Sequence, residues 1–482
     1  MSRFKIPDYL LIKYNNRFEE LLLKKTKIVC TIGPASLQKE TIKKMVEAGM
    51  NVARINTAYG DMDQYRFIIQ NLRSVGNIPL ILDLKGPEIR LKTRRERSVQ
   101  KHDVFEVGFS DEEISFNHDF YSDVDLSDII YVDNGKIKTQ IVKKENKTLH
   151  LSVIVGGKIS NGKGVNIPNK RLSVSTLSKK DLELTKFAIK SGVEFIALSF
   201  TRRIEDVHNL EKLLTGFKGS VIAKIENSEG FRNFEKILGS VGGIMIARGD
   251  LGVELDVEKV PLIQKSLIRK CNQSGKPVIT ATDMLESMIY KPIPTRAEVS
   301  DVANAVLDGT DAVMLSGETS IGNYPIDSVF MMSRIAKDVE GSVKSQVIEG
   351  EFIDISNTIS KSIQRISQSM SISKIVTLTR SGYTARMIAR FKNSQPILAV
   401  TPQESVVKQL ELVFGVYPVQ IDYLGERDRI VAVAKKLYSM GLITKEDTIL
   451  FTAAFRTAKK HASNIIEIHN IEEILDFGKI NC

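Results

Sequence analysis

The chain has 482 residues, 42% of them hydrophobic, with 68 Lys and Arg against 58 Asp and Glu and a formal charge of +10. Single cores stop growing near roughly 250 to 300 residues, so two to four domains are expected, and no apolar run approaches the ~20 residues that span a bilayer. Three scattered cysteines, Cys30, Cys271 and Cys482, are too few for a disulfide framework or a zinc site and point to a reducing cytoplasm, while basic residues interleaved with acids, as in RRERS and KKENK, argue against nucleic acid as the partner, and a phosphorylated small molecule accounts for the basic bias equally well.

Residues 1–25 carry Leu10, Leu11, Phe18, Leu21 and Leu22 near helical spacing, and no signal- or transit-peptide layout. From Lys27 strand and helix alternate: KIVCTIGP, the helix KETIKKMVEAG, NVARIN, a helix near Asp63 to Ser74, and PLILDLKG. Five further strands follow a gap, at FIALSF, SVIAKIE, GIMIARG, PVITATD and DAVMLSG. Near-continuous apolar runs separated by amphipathic helices are what a parallel sheet buried on both faces requires, and eight of them predict a (β/α)8 barrel. The gap differs in texture, with alternating strands and hairpin turns at Asp133-Asn134-Gly135 and Lys144-Glu145-Asn146, so a small antiparallel β domain is inserted after the third strand and can act as a lid. Beyond Asn357, SKIVTLT, PILAVT, GVYPVQ, DTILFT and NIIEIH alternate with four helices, predicting a doubly wound α/β domain. The expected divisions are a helical lead over 1–25, a barrel over 26–88 and 177–350, the insert over 89–176 and the C-terminal domain over 351–482.

Charged residues collect where strands end. Lys224 and Glu226 close one strand, Arg248 and Asp250 the next, Arg54 and Asn56 another, and Asp83, Lys85 and Arg90 end or follow PLILDLKG. In a barrel, catalytic groups sit at the carboxyl ends of strands, where side chains from several strands converge. Two carboxylates without histidine suit a hard cation, magnesium or manganese, and Lys224, two residues before Glu226, projects to the same side. An arginine such as Arg54 suits phosphate, since its planar fork takes two oxygens at once. Gly249-Asp250-Leu251-Gly252 opens a helical turn whose free N–H groups favour a carboxylate, and the hydroxyls of the 379–384 loop lie between a strand and a helix, where they can cradle phosphate. Each feature also has a plainer reading: a salt-bridge cluster for the charges, a core hydroxyl or cap for Thr282, and a helix cap for the loop.

Taken together, KIENSEG, IMIARGDLGVE, GKPVITATDMLESMIYKPIPTRAE and SDVANAVLDGTDAVMLSGET closely resemble the pyruvate kinase family, with likeness over 27–90 and 160–480. The resemblance implies a magnesium-dependent transfer of phosphate from phosphoenolpyruvate to ADP, the last step of glycolysis. It implies Arg54 and Lys224 on the migrating phosphoryl, Glu226 and Asp250 on Mg2+ (or Mn2+), Gly249 and Asp250 beside the substrate, and Thr282 helping to protonate the enolate. It also implies Arg90 and Lys180 at the nucleotide, Ser316 and Glu318 in support, and K+ held by Asn56, Asp83 and the Leu84 carbonyl. A homotetramer is implied as well, with a phosphorylated effector at Thr379, Arg380, Ser381, Gly382 and Thr384. The chain departs from the family pattern in three places. Ala58 stands where a potassium-binding serine is usual and Leu84 where a threonine is. Ala453-Ala454-Phe455-Arg456 replaces a glycine-rich second effector loop. Glu88 occupies the position where potassium-independent relatives carry a lysine.

Overall fold

A computed structural model describes residues 24–110, 112–168, 170–346, 348, 354–425, 428–454 and 463–476. The helical lead expected over 1–25 lies outside the described residues apart from Lys24 and Lys25, as do Cys482, Phe455 and Arg456.

Eight parallel strands close into a barrel: Lys27–Thr31, Val52–Asn56, Leu80–Leu84, Phe195–Leu198, Ser220–Ile225, Gly243–Ala247, Val278–Ala281 and Ala312–Leu315. These are the eight apolar runs of the sequence. Alternation splits each run between two cores: Val29, Val52, Ile81, Ile222, Met245 and Ile279 form the interior cluster, while Ile28, Ala53, Leu82 and Ile244 join the larger cluster that includes the surrounding helices. Local chemistry starts the helices. Asp61 accepts the N–H groups of Asp63 and Gln64 ahead of Met62–Val75, and Ser178 with Asp181, then Thr295 with Glu298, make capping boxes before Lys179–Ser191 and Arg296–Leu307.

The chain leaves the barrel after the third strand to form a separate antiparallel sheet in the spatial order Val165–Asn166, Ile129–Val132, Ile137–Glu145, Thr148–Val155, Val104–Val107. Its own core includes Phe105, Phe116 and Phe120. Asp133, Asn134 and Gly135 all have positive φ, as the first hairpin requires. The second hairpin is shifted from the sequence expectation: Glu145 still pairs with Thr148, and the turn is Asn146-Lys147, both left-handed. Two consecutive positive φ values match the right-handed twist of the strands, so this pair, rather than Lys144-Glu145-Asn146, forms the tight turn.

The C-terminal sheet runs Val416–Gln420, Ile397–Thr401, Lys374–Leu378, Thr448–Ala453, Ile465–Asn470. Four strands are parallel and the last is antiparallel, because the link from Ala453 to Ile465 is shorter than the roughly dozen residues a parallel return needs. This domain seals the amino end of the barrel. Leu412 joins the interior cluster, Lys27 Nζ donates to the Val416 carbonyl at 2.6 Å, and Lys392 Nζ meets Asp311 Oδ1 at 2.9 Å.

Candidate active site

The second and third strands pair with Asn56 opposite Asp83, so the residues ending them are neighbours. Arg54 donates from Nε to Asp83 Oδ2 at 2.8 Å and from Nη1 to Thr31 Oγ1 at 2.9 Å, which points its guanidinium along the inner wall. From the fifth strand, Lys224 Nζ reaches Asp83 Oδ1 at 3.2 Å, Glu226 Oε1 at 3.0 Å and Ser199 Oγ at 2.8 Å. Three strand ends thus converge on one ammonium, and Arg54 from a fourth joins them through Asp83. Burial alone would depress the Lys224 pKa, but Asp83 and Glu226 outweigh it and hold the side chain above the ordinary lysine range. Burial likewise pushes Asp83 up, and Lys224 with Arg54 more than reverses this, so its carboxyl lies below the usual range.

Glu226 is aimed by the N–H of Phe200, a residue at φ 51° that turns the backbone out of the fourth strand. Asp250 lies in the helix Arg248–Glu254 that directly follows the sixth strand. Its pKa is raised to about 7 by burial, then by the charge of Glu226. Glu226 and Asp250, close enough for the charge of the first to raise the proton affinity of the second and bearing oxygen donors only, have the chemistry that a hard divalent cation would suit. Among the described residues no group of three or more His, Cys, Asp or Glu is placed to hold a metal, so the remaining ligands would come from substrate and water.

Gly249 N–H donates to Thr282 Oγ1 at 2.9 Å, so this end of the helix is already joined to the loop after the seventh strand. Thr282 Oγ1 in turn donates to the Ala281 carbonyl at 2.7 Å. Glu318 is not turned toward the acids: its carboxylate accepts the N–H groups of Leu285 at 3.0 Å and Ser316 at 2.7 Å, tying two loops together, while Ser316 Oγ is buried with no hydrogen-bond partner among the described residues.

The other expected residues lie around this centre or away from it. Arg90, at the root of the inserted domain, pairs through Nη2 with Glu88 at 2.5 Å and donates from Nη1 to the Gly162 carbonyl at 2.5 Å. Lys180 Nζ lies 3.2 Å from the Thr57 carbonyl, just beyond the second strand. Asn56 Oδ1 accepts the N–H of Ala58 at 3.1 Å, and Leu84 is the buried last residue of its strand. In the C-terminal domain, Thr379 Oγ1 accepts the Gly382 N–H at 3.0 Å, Thr384 shares a hydrogen bond of 2.9 Å with Ser463, and Arg380 is exposed. Sequence reasoning missed Ser199, which bridges Lys224 and Asp83; a hydroxyl at the end of FIALSF was its only signal. It also assigned no task to Arg248.

This layout matches a known family along most of the chain. The model of the pyruvate kinase barrel domain matches residues 23–329, and that of the pyruvate kinase alpha/beta domain matches 357–469. The chain belongs to the pyruvate kinase family. Proteins named pyruvate kinase from Sporosarcina psychrophila, Geobacillus stearothermophilus and Staphylococcus aureus are 38%, 39% and 40% identical to it, each over 95% of this chain and 82% of the relative. A crystal structure of a pyruvate kinase from Cryptosporidium parvum superposes with a TM-score of 0.87 at 31% identity, covering 93% of this chain and 96% of the other.

Proposed function

We propose that the chain carries out the reaction of its family, moving the phosphoryl group of phosphoenolpyruvate to ADP and then protonating the resulting enolate at carbon to give pyruvate. The observation that carries this reading is Lys224, buried at the carboxyl end of the barrel between Asp83 and Glu226, with Arg54 on the other side of Asp83. Phosphoryl transfer asks for fixed positive charge around a migrating anion more than for covalent chemistry. Arg54 and Lys224 are held in place before substrate arrives, so no reorganisation is needed when charge develops. Glu226 and Asp250 fit Mg2+ or Mn2+, which when bound would neutralise phosphoryl and carbonyl oxygen charge. Asn56 and Asp83, side by side at their strand ends, with the Leu84 carbonyl, offer the oxygen set for K+, and Ala58 offers none. Arg90 and Lys180 face the nucleotide phosphates, Gly249 and Asp250 the substrate carboxylate, and Thr282 passes a proton from water to the enolate carbon. Ser316 and Glu318 support the loops around that proton.

The hydroxyls of Thr379, Ser381 and Thr384, with Arg380 and the Gly382 backbone, form the site of a phosphorylated effector. Val257, Leu262, Tyr290 and Ile293 all expose more than half their surface, which supports association of copies into a homotetramer. A cytoplasmic setting is supported by the free, buried thiols of Cys30 and Cys271. No helix among the described residues is long and apolar enough to cross a membrane. A coupled assay with phosphoenolpyruvate, ADP, magnesium and varied monovalent salts tests the reading. Pyruvate must form in proportion to ATP, and pyruvate formation without ADP would overturn it.

A further inference from the structure

The residue after the seventh barrel strand is in an uncommon state. Thr282 has φ 66° and Asp283 φ 54°, two successive left-handed residues, the first of them β-branched. A β-branched side chain disfavours that conformation strongly, and it persists only where the surroundings over-determine it. What over-determines it is Arg248. Its Nη2 donates to the Thr282 carbonyl at 2.7 Å, with the Asp283 carbonyl at 3.2 Å. The guanidinium is itself gripped by Asp301, with Nη1 to Oδ1 at 2.8 Å and Nη2 to Oδ2 at 2.7 Å, and Gln264 Oε1 lies 3.3 Å from Nη1. This fork-to-fork pair fixes the plane of the guanidinium. Arg248 also opens the helix that carries Asp250, and the next N–H in the chain, that of Gly249, donates to Thr282 Oγ1. One arginine therefore joins the backbone of the Thr282 loop to the helix of the candidate metal ligand.

We propose that Arg248, held by Asp301, is a positioning residue whose main effect is on proton delivery: it sets the Thr282 hydroxyl against the enolate carbon, and its effect on phosphoryl transfer, through the helix of Asp250, is the smaller one. This rests on the reading of Thr282 given above. In the step concerned, the bond from phosphorus to the enol oxygen has already broken and ADP has taken the phosphoryl group. The enolate carbon then takes the Thr282 hydroxyl proton, and the hydroxyl regains a proton from water.

The two half-reactions are measured apart. Exchange of the pyruvate methyl protons in deuterated water, followed by NMR with Mg2+, K+ and ATP present, reports proton delivery. ATP formed in a single turnover from phosphoenolpyruvate and ADP reports phosphoryl transfer. Arg248→Met and Asp301→Asn are expected to lower methyl exchange ~100-fold, the scale of a misplacement of about 1 Å, while single-turnover ATP falls less than ~10-fold. Arg248→Lys restores only a minor part, because an ammonium cannot span the carbonyls and the carboxylate together. Thr282→Val serves as the reference and loses exchange to the same extent. Equal loss of both half-reactions in folded Asp301→Asn would show a merely structural role and overturn the proposal. So would full exchange in Arg248→Met beside a dead Thr282→Val, which leaves the reading of Thr282 standing. Full exchange in Thr282→Val would overturn that reading and the proposal with it. Should Arg248→Met not fold, Asp301→Asn, whose side chain is 39% exposed, carries the same test.

Discussion

At the amino end of the barrel Lys392 meets Asp311 at 2.9 Å with no side-chain exposure, and at the carboxyl end Lys224 meets Asp83 at 3.2 Å with 11% of its side chain exposed. The residue types are the same and the surroundings are not. Asp311 is fully used: Oδ1 also accepts the Phe414 N–H at 3.1 Å, and Oδ2 the Val278 N–H at 3.0 Å. Burial lowers the Lys392 pKa there despite its partner, whereas the Lys224 pKa is raised. One lysine with one satisfied acid makes a weld between domains. One lysine shared by Asp83 and Glu226, with Asp250 beyond them, makes an unbalanced field that a ligand can complete. Asp83 and Glu226 are as fully engaged as Asp311; what separates the two ends of this barrel is Asp250, a further acid whose proton affinity is raised by burial and by Glu226.

The contrast is broken most directly by Lys224→Met, expected to lower turnover ~100-fold or more while the melting transition is retained, since a preorganised charge is lost at the transition state. Turnover near that of the parent would remove Lys224 from the chemistry. Lys392→Met is the mirror experiment. It strands Asp311 in the domain junction and is expected to cost about 3–5 kcal/mol in denaturant unfolding, with turnover per folded molecule within about 2-fold. A larger loss of turnover at full folding would mean that the amino end reports to the active site.

Potassium sharpens the comparison at the carboxyl end. Asn56 and Asp83 supply oxygens, Ala58 supplies none, and Glu88 is committed to Arg90 rather than replaced by a built-in cation. Activity is therefore expected to rise with potassium and to saturate at higher concentration than is usual in the family. Full activity in tetramethylammonium buffer free of potassium, sodium and ammonium would contradict this.

The smallest expected effect concerns Glu254, whose carboxyl is pushed from the ordinary 4.5 up to about 6 by burial, while Asn166 of the inserted domain donates to it at 3.2 Å. The folded state keeps a proton that the unfolded chain has released, so stability falls as pH rises from about 4.5 through about 6. Metal-free Glu254→Gln is expected to lack that fall in melting temperature. Parallel curves for parent and variant would show the carboxyl to be unperturbed.

The eight barrel strands were legible because burial on both faces leaves runs such as LILDL and GIMIA with no polar interruption until the strand ends. The charged ends were legible as charges for the same reason, since a lysine or carboxylate closing such a run stands out from it, but a structural salt bridge reads the same way in sequence. Lys144-Glu145-Asn146 was misplaced as a turn because hairpin register depends on which pair takes two left-handed residues, and Lys147 gives no sign of that in its chemistry. Ser199 and Arg248 escaped because a serine and an arginine at strand ends are common, and their partners, Asp83 and Asp301, lie 116 and 53 positions away in the chain.

The sequence by itself determined the architecture of the barrel, the insert and the C-terminal sheet, together with the charged residue types at the strand ends, because periodicity and capping are local and survive without partners. Only the tertiary structure decided which acid each base meets, that Glu318 staples loops rather than facing the acids, that Arg90 leans on Glu88, and that Thr282 is held in a left-handed turn. Those outcomes depend on distances between strands far apart in the chain, and charge attraction at 3 Å outweighs any preference a residue carries alone.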